Sequence, residues 1–384
     1  MEFKRFFYNE LKSRIEKESN FIQVLIGPRQ VGKSTALKQL LQEWPHSKLY
    51  ATADLVAPPD SRWLEFNWRK ARDLKPPTLL IIDEVQKIEN WSEVVKILFD
   101  EDRRQKRLRV ILSGSASLNL QQGLRESLAG RFELIRAPHW RFTESEKLFN
   151  WDIDTYLKYG GYPSASEFIN DTDRWQSFIQ DSIIEPVLGR DLQTLVTIQK
   201  PALLRQLFEI CMTLPAYEIS YQKLLGQLQD KGNATTIKHY MEILEGAFLL
   251  KKLDKFSSSK IKQKSSSPKI IPLAPALSHA FINPEKFSND PAWRGRIFEA
   301  AIGALLCQNY RNVYYWRDGN EEVDYVIEID KQIIAVEIKS GRKKSISGIY
   351  TFNERFPKSK SIILTWESGL EFLRQENLDF YDIN

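Results

Sequence analysis

The stretch Phe21–Leu41, "FIQVLIGPRQVGKSTALKQLL", decides how the rest of the chain is read. An apolar run, Phe21–Gly27, enters a loop with Gly27 at its start and Gly32 near its end, and Lys33 and Ser34 follow directly. From Thr35 the apolar residues recur at helical spacing. Strand, glycine loop and helix in this order make a phosphate cradle, the Walker A pattern Gly-x-x-x-x-Gly-Lys-Ser. Gly27 and Gly32 let the backbone of Pro28, Arg29, Gln30 and Val31 turn its N–H groups toward phosphate oxygens. Lys33 neutralises β/γ-phosphate charge, Ser34 can ligate Mg²⁺, and the helix opening at Ser34-Thr35 adds its N-terminal dipole. ATP and Mg²⁺ are therefore the expected ligands.

Working outward, Thr78–Gln86, "TLLIIDEVQ", is a continuous apolar run closed by two acids, as expected of a buried parallel strand. Asp83 is placed to hold Mg²⁺ through water, and Glu84 to take a proton from the attacking water. Arg109–Ser117, "RVILSGSAS", is a further strand, with Ser113, or its rival Ser115, near the γ-phosphate or capping the next helix. Phe3–Lys17 reads as a helix with Phe3, Phe6, Phe7, Leu11 and Ile15 on one face. Strands alternating with helices predict a doubly wound α/β domain over 1–139. Arg131, in "ESLAGRFELI", sits where a helix ends in Gly-Arg-Phe. That segment resembles the arginine finger of AAA-type ATPases, which a neighbouring subunit presents to the transition state. Arg125 competes for the role, and Arg131 can instead pair with Glu133 or Glu126.

The bulk numbers are compatible with this. At 384 residues the chain is long for one core. Net charge is 55 − 50 = +5, weakly basic, so nucleic acid is permitted and not demanded. Cys211 and Cys307 lie far apart inside apolar runs and read as buried thiols, and four scattered histidines have no zinc-finger spacing. No apolar run reaches the ~18–20 residues of a membrane span. The charged N-terminus lacks the apolar region of a signal peptide, so the expected compartment is the cytoplasm.

Trp140–Thr197 has helical periodicity broken by "YGGYP" at Tyr159–Pro163, and is expected as a helical lid over 140–200. Pro201–Phe256 reads helix, helix, helix, strand. Lys251–Lys269 carries seven lysines against one aspartate and reads as a linker or hairpin tip. From Ala292 the grammar changes. The helix "RGRIFEAAIGALLCQNY" precedes β-like runs "VYYWR", "VDYVIEI" and "IIAVEIKS", and "SIILTW" and "LDFYDI" follow. On a strand, residues two apart share a face, so Glu337 and Lys339 point the same way. The short Asp330–Gln332 connection folds Asp324 back toward Glu337, and Glu299 on the helix is a further member. Such carboxylates suit Mg²⁺ or Mn²⁺, with Lys339 holding the nucleophile or neutralising charge. Glu-x-Lys is equally the spacing of an ordinary strand ion pair. The order of helix acid, strand aspartate and Glu-x-Lys resembles the PD-(D/E)xK nuclease core, with Val323 where that core often has proline.

Taken in series, "LIGPRQVGKST", "LLIIDEVQ", "ILSGSAS", "LAGRF", "YLKYGGYPSASEF", "SPKIIPLAPAL", "RGRIFEAAIGALL" and "EEVDYVIEIDKQIIAVEIKSG" resemble a prokaryotic family. It fuses an AAA-type P-loop ATPase, a winged helix-turn-helix and a C-terminal nuclease-like domain of unknown function. The resemblance implies an α/β fold: a P-loop AAA-type doubly wound parallel sheet with helical lid, a winged helix-turn-helix over 201–275 and a restriction-endonuclease-like domain over 276–384. It implies ATP hydrolysis, DNA as partner and a homo-oligomer, ring or dimer, off the membrane. Ala234–Gly246 would be the recognition helix, carrying Lys238 and His239, with Lys260, Lys262 and Lys264 on the wing meeting phosphates. The same module also serves elsewhere as a packing lid. A nucleotide-gated switch or scaffold, or a DNA motor, are the alternatives to a DNA-acting enzyme.

Overall fold

The computed structural model describes residues 3–17, 21–55, 57, 59–105, 107–115, 123–124, 127–192, 198–228, 233–257, 266–341 and 346–375. The chain divides into two compact units, one of Met1–His139 with Asp191–Thr197, the other of Trp140–Arg190 with Ile198–Asn384.

In the first unit, α1 (Tyr8–Glu16) buries Tyr8, Leu11 and Ile15. The helix starts five residues later than the periodicity from Phe3 predicts. Arg5 holds the preceding turn in another path, donating to the carbonyls of Val31 and, at 2.9 Å, Pro138. β1 (Ile22–Gly27), α2 (Lys33–Glu43), β2 (Lys48–Thr52), α3 (Ser61–Arg72), β3 (Thr78–Asp83), α4 (Trp91–Asp102), β4 (Leu108–Ser115) and β5 (Phe132–Arg136) follow. The five strands form one parallel sheet in the order β2-β3-β4-β1-β5. Every residue of β1 and β3 is buried, as a parallel sheet covered on both faces requires. The edge strands β2 and β5 are only partly buried, and their mixed residues hid them from a reading based on apolar runs. β3 ends at Asp83 and not at Gln86, because Glu84 takes a left-handed conformation (φ 55°) that turns the chain into a 3₁₀ turn, Val85–Lys87. A side chain at Gly27 would place its Cβ 1.9 Å from the Ala137 carbonyl, so only glycine ends β1.

The second unit opens with α5 (Phe142–Phe149), α6 (Ile153–Tyr159) and α7 (Thr172–Phe178), which runs on into π-helical turns over Ile179–Ile184 and Pro186–Asp191. This segment, expected as a helical lid, belongs to the same unit as the C-terminal residues. Arg294 grips Asp154 at 2.6 and 2.9 Å, Arg374 grips Glu146 at 2.7 Å, and Arg141 donates to Gln308 at 2.9 Å. Next come α8 (Pro201–Met212), β6 (Tyr217–Glu218), α9 (Tyr221–Gln227), α10 (Ala234–Gly246), β7 (Leu250–Leu253) and β8 (Lys269–Pro272). β6, β8 and β7 form a small antiparallel sheet in that order. The feet of the lysine-rich hairpin are thus paired, while its tip, 258–265, lies outside the described residues.

Past α11 (Pro275–His279) and α12 (Lys286–Asn289), the long α13 (Pro291–Asn309) precedes β9 (Val313–Asp318), β10 (Glu321–Ile329), β11 (Gln332–Lys339), α14 (Ser347–Arg355), β12 (Lys360–Thr365) and α15 (Trp366–Arg374). The sheet order is β12-β11-β10-β9, antiparallel except for β11 with β12. Asp330 and Lys331, both at positive φ, make the tight β10–β11 turn. α13 is buried nearly all round, with Phe298, Ile302 and Leu305 against Tyr325, Val336 and Phe372. Gly303 leaves room for the Tyr325 hydroxyl, which a Cβ there would meet at 2.3 Å. The expected strand "SIILTW" stops at Thr365, whose side chain caps α15, and "LDFYDI" lies outside the described residues. Cys211 and Cys307 are both free thiols. No helix of the described residues is long and apolar enough to cross a membrane.

Candidate functional site

The first unit carries the phosphate-type loop. Leaving β1, the loop turns through left-handed conformations at Gln30 (φ 57°) and Gly32 (φ 91°) and encloses the Lys33 side chain, which is 5 % exposed. Lys33 Nζ donates to the carbonyls of Gly27 at 3.0 Å and Pro28 at 2.5 Å. These acceptors are neutral, and the acids Glu84 and Asp83 act on its charge without touching it. Burial pulls its pKa down to about 8, against the opposing pull of Glu84 and Asp83. Ser34 Oγ and the Tyr50 hydroxyl both donate to Asp83 Oδ2 at 2.7 Å. Two of the expected magnesium-holding groups, Ser34 and Asp83, are therefore in contact, and Tyr50 on β2 is a third member that the sequence did not reveal. Burial first, then the hydrogen bond to Asp83, pushes the Tyr50 phenol upward. Among the other loop residues, Pro28 and Val31 are buried while Gln30 and Thr35 are exposed.

Glu84 stands beside this cluster on its left-handed backbone. Its Oε2 accepts from Gln86 Nε2 at 2.6 Å and from Ser115 Oγ at 3.3 Å, and Gln86 also reaches Ser115 at 3.0 Å. Of the two serines at the end of β4, Ser115 meets Glu84. Ser113 is fully buried in the sheet, and its Oγ has no hydrogen-bond partner. Arg29 pairs with Asp191, at 2.6 Å from Nη2 to Oδ1, a partner 162 positions away in the chain. His139 is held neutral, its pKa driven to about 3 by burial and then by the cations Arg5 and Lys33. Arg131 does not pair with Glu133. Its guanidinium makes a bidentate pair with Asp100 of α4, both contacts 2.8 Å. Arg125 and Glu126 lie outside the described residues.

The second unit brings Glu299, Asp324 and Glu337 into one buried patch, 7 %, 3 % and 6 % exposed. They are the residues expected to hold a metal ion, and a cation of the chain itself stands among them. Lys269, the first residue of β8, reaches in: its Nζ lies 2.5 Å from Glu299 Oε1, 3.4 Å from Asp324 Oδ1 and 3.1 Å from the Asp324 carbonyl. Asp324 Oδ2 accepts the Ile338 N–H at 2.8 Å. Lys339 Nζ donates to Glu337 Oε1 at 2.5 Å, and among the described residues Glu337 Oε2 has no hydrogen-bond partner. Among the described residues no group of three acids, histidines or cysteines is arranged to hold a metal ion. The physical reason is that an ammonium group already compensates two of the carboxylates. Burial lowers the Lys269 pKa, but Glu299 and Asp324 outweigh it and hold the group protonated. Burial, then the charge of Asp324, lifts the Glu337 carboxyl to about 7.

Lys238 and His239 are exposed on α10, whose first turn is capped by Asn233 Oδ1 at 2.8 Å from Thr236 N. Nearby, Lys252 pairs with Glu242 at 3.1 Å, and Lys251 pairs with Glu245. Lys260, Lys262 and Lys264 lie outside the described residues.

Comparison with known proteins matches residues 19–146 to an AAA domain. Residues 150–287 match a domain of unknown function (DUF8612), and residues 294–380 a second domain of unknown function (DUF4143). An uncharacterized protein of Mycobacterium tuberculosis is 27 % identical over 373 residues, covering 89 % of this chain and 79 % of that one. An uncharacterized protein of Methanocaldococcus jannaschii is 25 % identical over 393 residues, covering 94 % and 81 %. Among solved structures, the Walker-type ATPase of Pyrococcus abyssi aligns at a TM-score of 0.47 with 16 % identity, over 71 % of this chain and 95 % of that one.

Proposed function

We propose that the chain hydrolyses ATP with Mg²⁺ and couples turnover to DNA. The observation that carries this reading is Lys33, buried on two neutral carbonyls beside the Ser34–Asp83 pair at 2.7 Å. Lys33 exchanges those carbonyls for phosphate oxygens, and Gly27–Thr35 wraps the phosphates with backbone N–H groups. Ser34 and Asp83 would hold Mg²⁺, which neutralises charge on the transferred phosphoryl group. Tyr50 steadies the Asp83 carboxylate. Glu84 takes the proton of the attacking water, held in place by Gln86 and Ser115. Arg131 completes the site of a neighbouring copy in a homo-oligomer, for which it must leave Asp100. The order α8, β6, α9, α10, β7, β8 supports reading this segment as a winged helix-turn-helix. It would present Lys238 and His239 to DNA, with Lys260, Lys262 and Lys264 at the hairpin tip.

The test is phosphate release by the full chain and by Glu84→Gln, with and without duplex DNA. A Glu84→Gln protein that turns over like wild type would sink the assignment.

A second reading concerns the C-terminal sheet, whose helix-acid, aspartate and Glu-x-Lys order supports a nuclease-like fold. Lys269 inside the acidic patch favours a domain that holds DNA over one that cuts it. Incubation with linear, supercoiled and single-stranded DNA in Mg²⁺ or Mn²⁺, with and without ATP, decides between them. Cutting lost in Asp324→Ala/Glu337→Ala would reinstate a nuclease.

A further inference from the structure

Lys269 is a buried charge that the nucleotide site does not use. Lys269 is 6 % exposed, and a lysine is rarely buried to that extent unless paired. Every group facing it is anionic or electron-rich. Glu299 comes from α13, the side chain and carbonyl of Asp324 from β10, and the Tyr325 ring lies 4.9 Å from Nζ. Glu322 adds a more distant negative charge. Glu299 and Asp324 are two of the acids that would ligate a divalent ion, and the third, Glu337, keeps a buried Oε2 with no hydrogen-bond partner among the described residues.

We infer that Lys269 is a built-in cation that stands in for the divalent metal and pins the lysine-rich hairpin to the C-terminal sheet. The pinning has independent support at both feet of the hairpin. On one side Phe256 N donates to the Tyr315 carbonyl at 2.6 Å, and Lys255 bridges to Tyr315. On the other the Tyr315 hydroxyl donates to the Ser267 carbonyl at 2.5 Å. Arg317 of β9 pairs with Glu218 of β6 at 3.0 Å, tying the third strand of the small sheet to the same place. The acidic patch is thus a fastening. The acids face a permanent positive charge carried by the chain, so a metal ion and the Lys269 ammonium exclude each other. The inference rests on the reading of the C-terminal domain as non-cleaving and is independent of the ATPase reading.

The test uses the full chain and Mn²⁺ alone, without nucleotide, counted by electron paramagnetic resonance. Lys269→Met is expected to bind one more Mn²⁺ per chain than wild type, and Asp324→Asn in the Lys269→Met background is expected to abolish that gain. Mn²⁺ bound at the nucleotide loop is common to all the proteins and cancels in the difference. Because Lys269→Met leaves buried carboxylates uncompensated, Lys269→Gln, whose neutral amide can still donate to them, carries the same test with all three acids kept. Added Mn²⁺ should raise the Tm of the folded variant by more than that of wild type. Equal Mn²⁺ counts in wild type and variants, or a wild-type Mn²⁺ lost in Asp324→Asn, would overturn the inference. DNA cutting without that Mn²⁺ difference would instead tell against the non-cleaving reading.

Discussion

Lys33 and Lys269 are both buried, 5 % and 6 % exposed, and their surroundings give them opposite roles. Lys33 is solvated by two backbone carbonyls, and burial lowers its pKa to about 8. Lys269 touches two carboxylates and is held protonated by them. A buried cation on neutral acceptors is an incomplete electrostatic circuit, and an anion such as phosphate completes it. A buried cation on carboxylates is already complete, and neither a metal nor an anion gains by entering. What separates a binding site from a structural pair here is the charge of the acceptors.

The largest expected effect strikes the open circuit. Lys33→Ala should lower ATP turnover on the order of 10³-fold with the fold intact, read by phosphate release beside a circular dichroism melt. Turnover within a few-fold of wild type would break the comparison at its first term. Lys269→Met should act in the opposite sense, costing the second unit about 3–5 kcal/mol in urea melts while leaving turnover per folded molecule unchanged. A loss of turnover with unchanged stability would mean the two lysines do not divide the labour this way. Glu84→Gln should slow hydrolysis roughly 10²-fold while ATP still binds, measured by titration calorimetry against single-turnover rates.

A smaller effect follows from His139, held neutral near the same cations that await an anion. Its folded pKa of about 3 lies below the unfolded value of 6.5, so the unfolded chain binds more protons in that interval. Stability should therefore fall as pH drops below 6.5, by about 1.4 kcal/mol per pH unit from this group. His139→Gln should flatten that slope in urea melts between pH 7 and 5, and an unchanged slope would remove His139 from the account. The smallest change is expected for Tyr50→Phe, which leaves Asp83 with one donor fewer. A loss of about 1 kcal/mol in Mg²⁺-dependent nucleotide affinity is expected, and no loss would mean that Ser34 alone sets the carboxylate.

The loop site was legible because it is local. Gly27 to Thr35 lie in one stretch, and the strand before and helix after are read from the same few residues. Asp83, Glu84 and Ser115 were reachable because each closes an apolar run, although Ser113 and Ser115 were distinguished only by the side chain that meets Glu84. Tyr50 escaped because β2 is an edge strand with no apolar run to mark it, and Asp191 because it is 162 positions from Arg29. Lys269 escaped for a different reason. It is one of seven lysines in a run that reads as a solvated tip, and only the pairing of β7 with β8 shows that this one turns inward. Strand alternation and a short turn bring Asp324 beside Glu337, whereas Glu299, on a helix, could be offered only as a further member. The same alternation is silent on what fills the space between them. Likewise, helical periodicity identified 140–200 as helical but not which core it joins, which the ion pairs of Asp154, Glu146 and Arg141 decide.

The measurement that tests the central claim most directly is phosphate release from Mg²⁺·ATP by the wild-type full chain, before and after duplex DNA is added. The account predicts turnover that rises when DNA is present. A folded protein that binds ATP and releases no phosphate under either condition would contradict it.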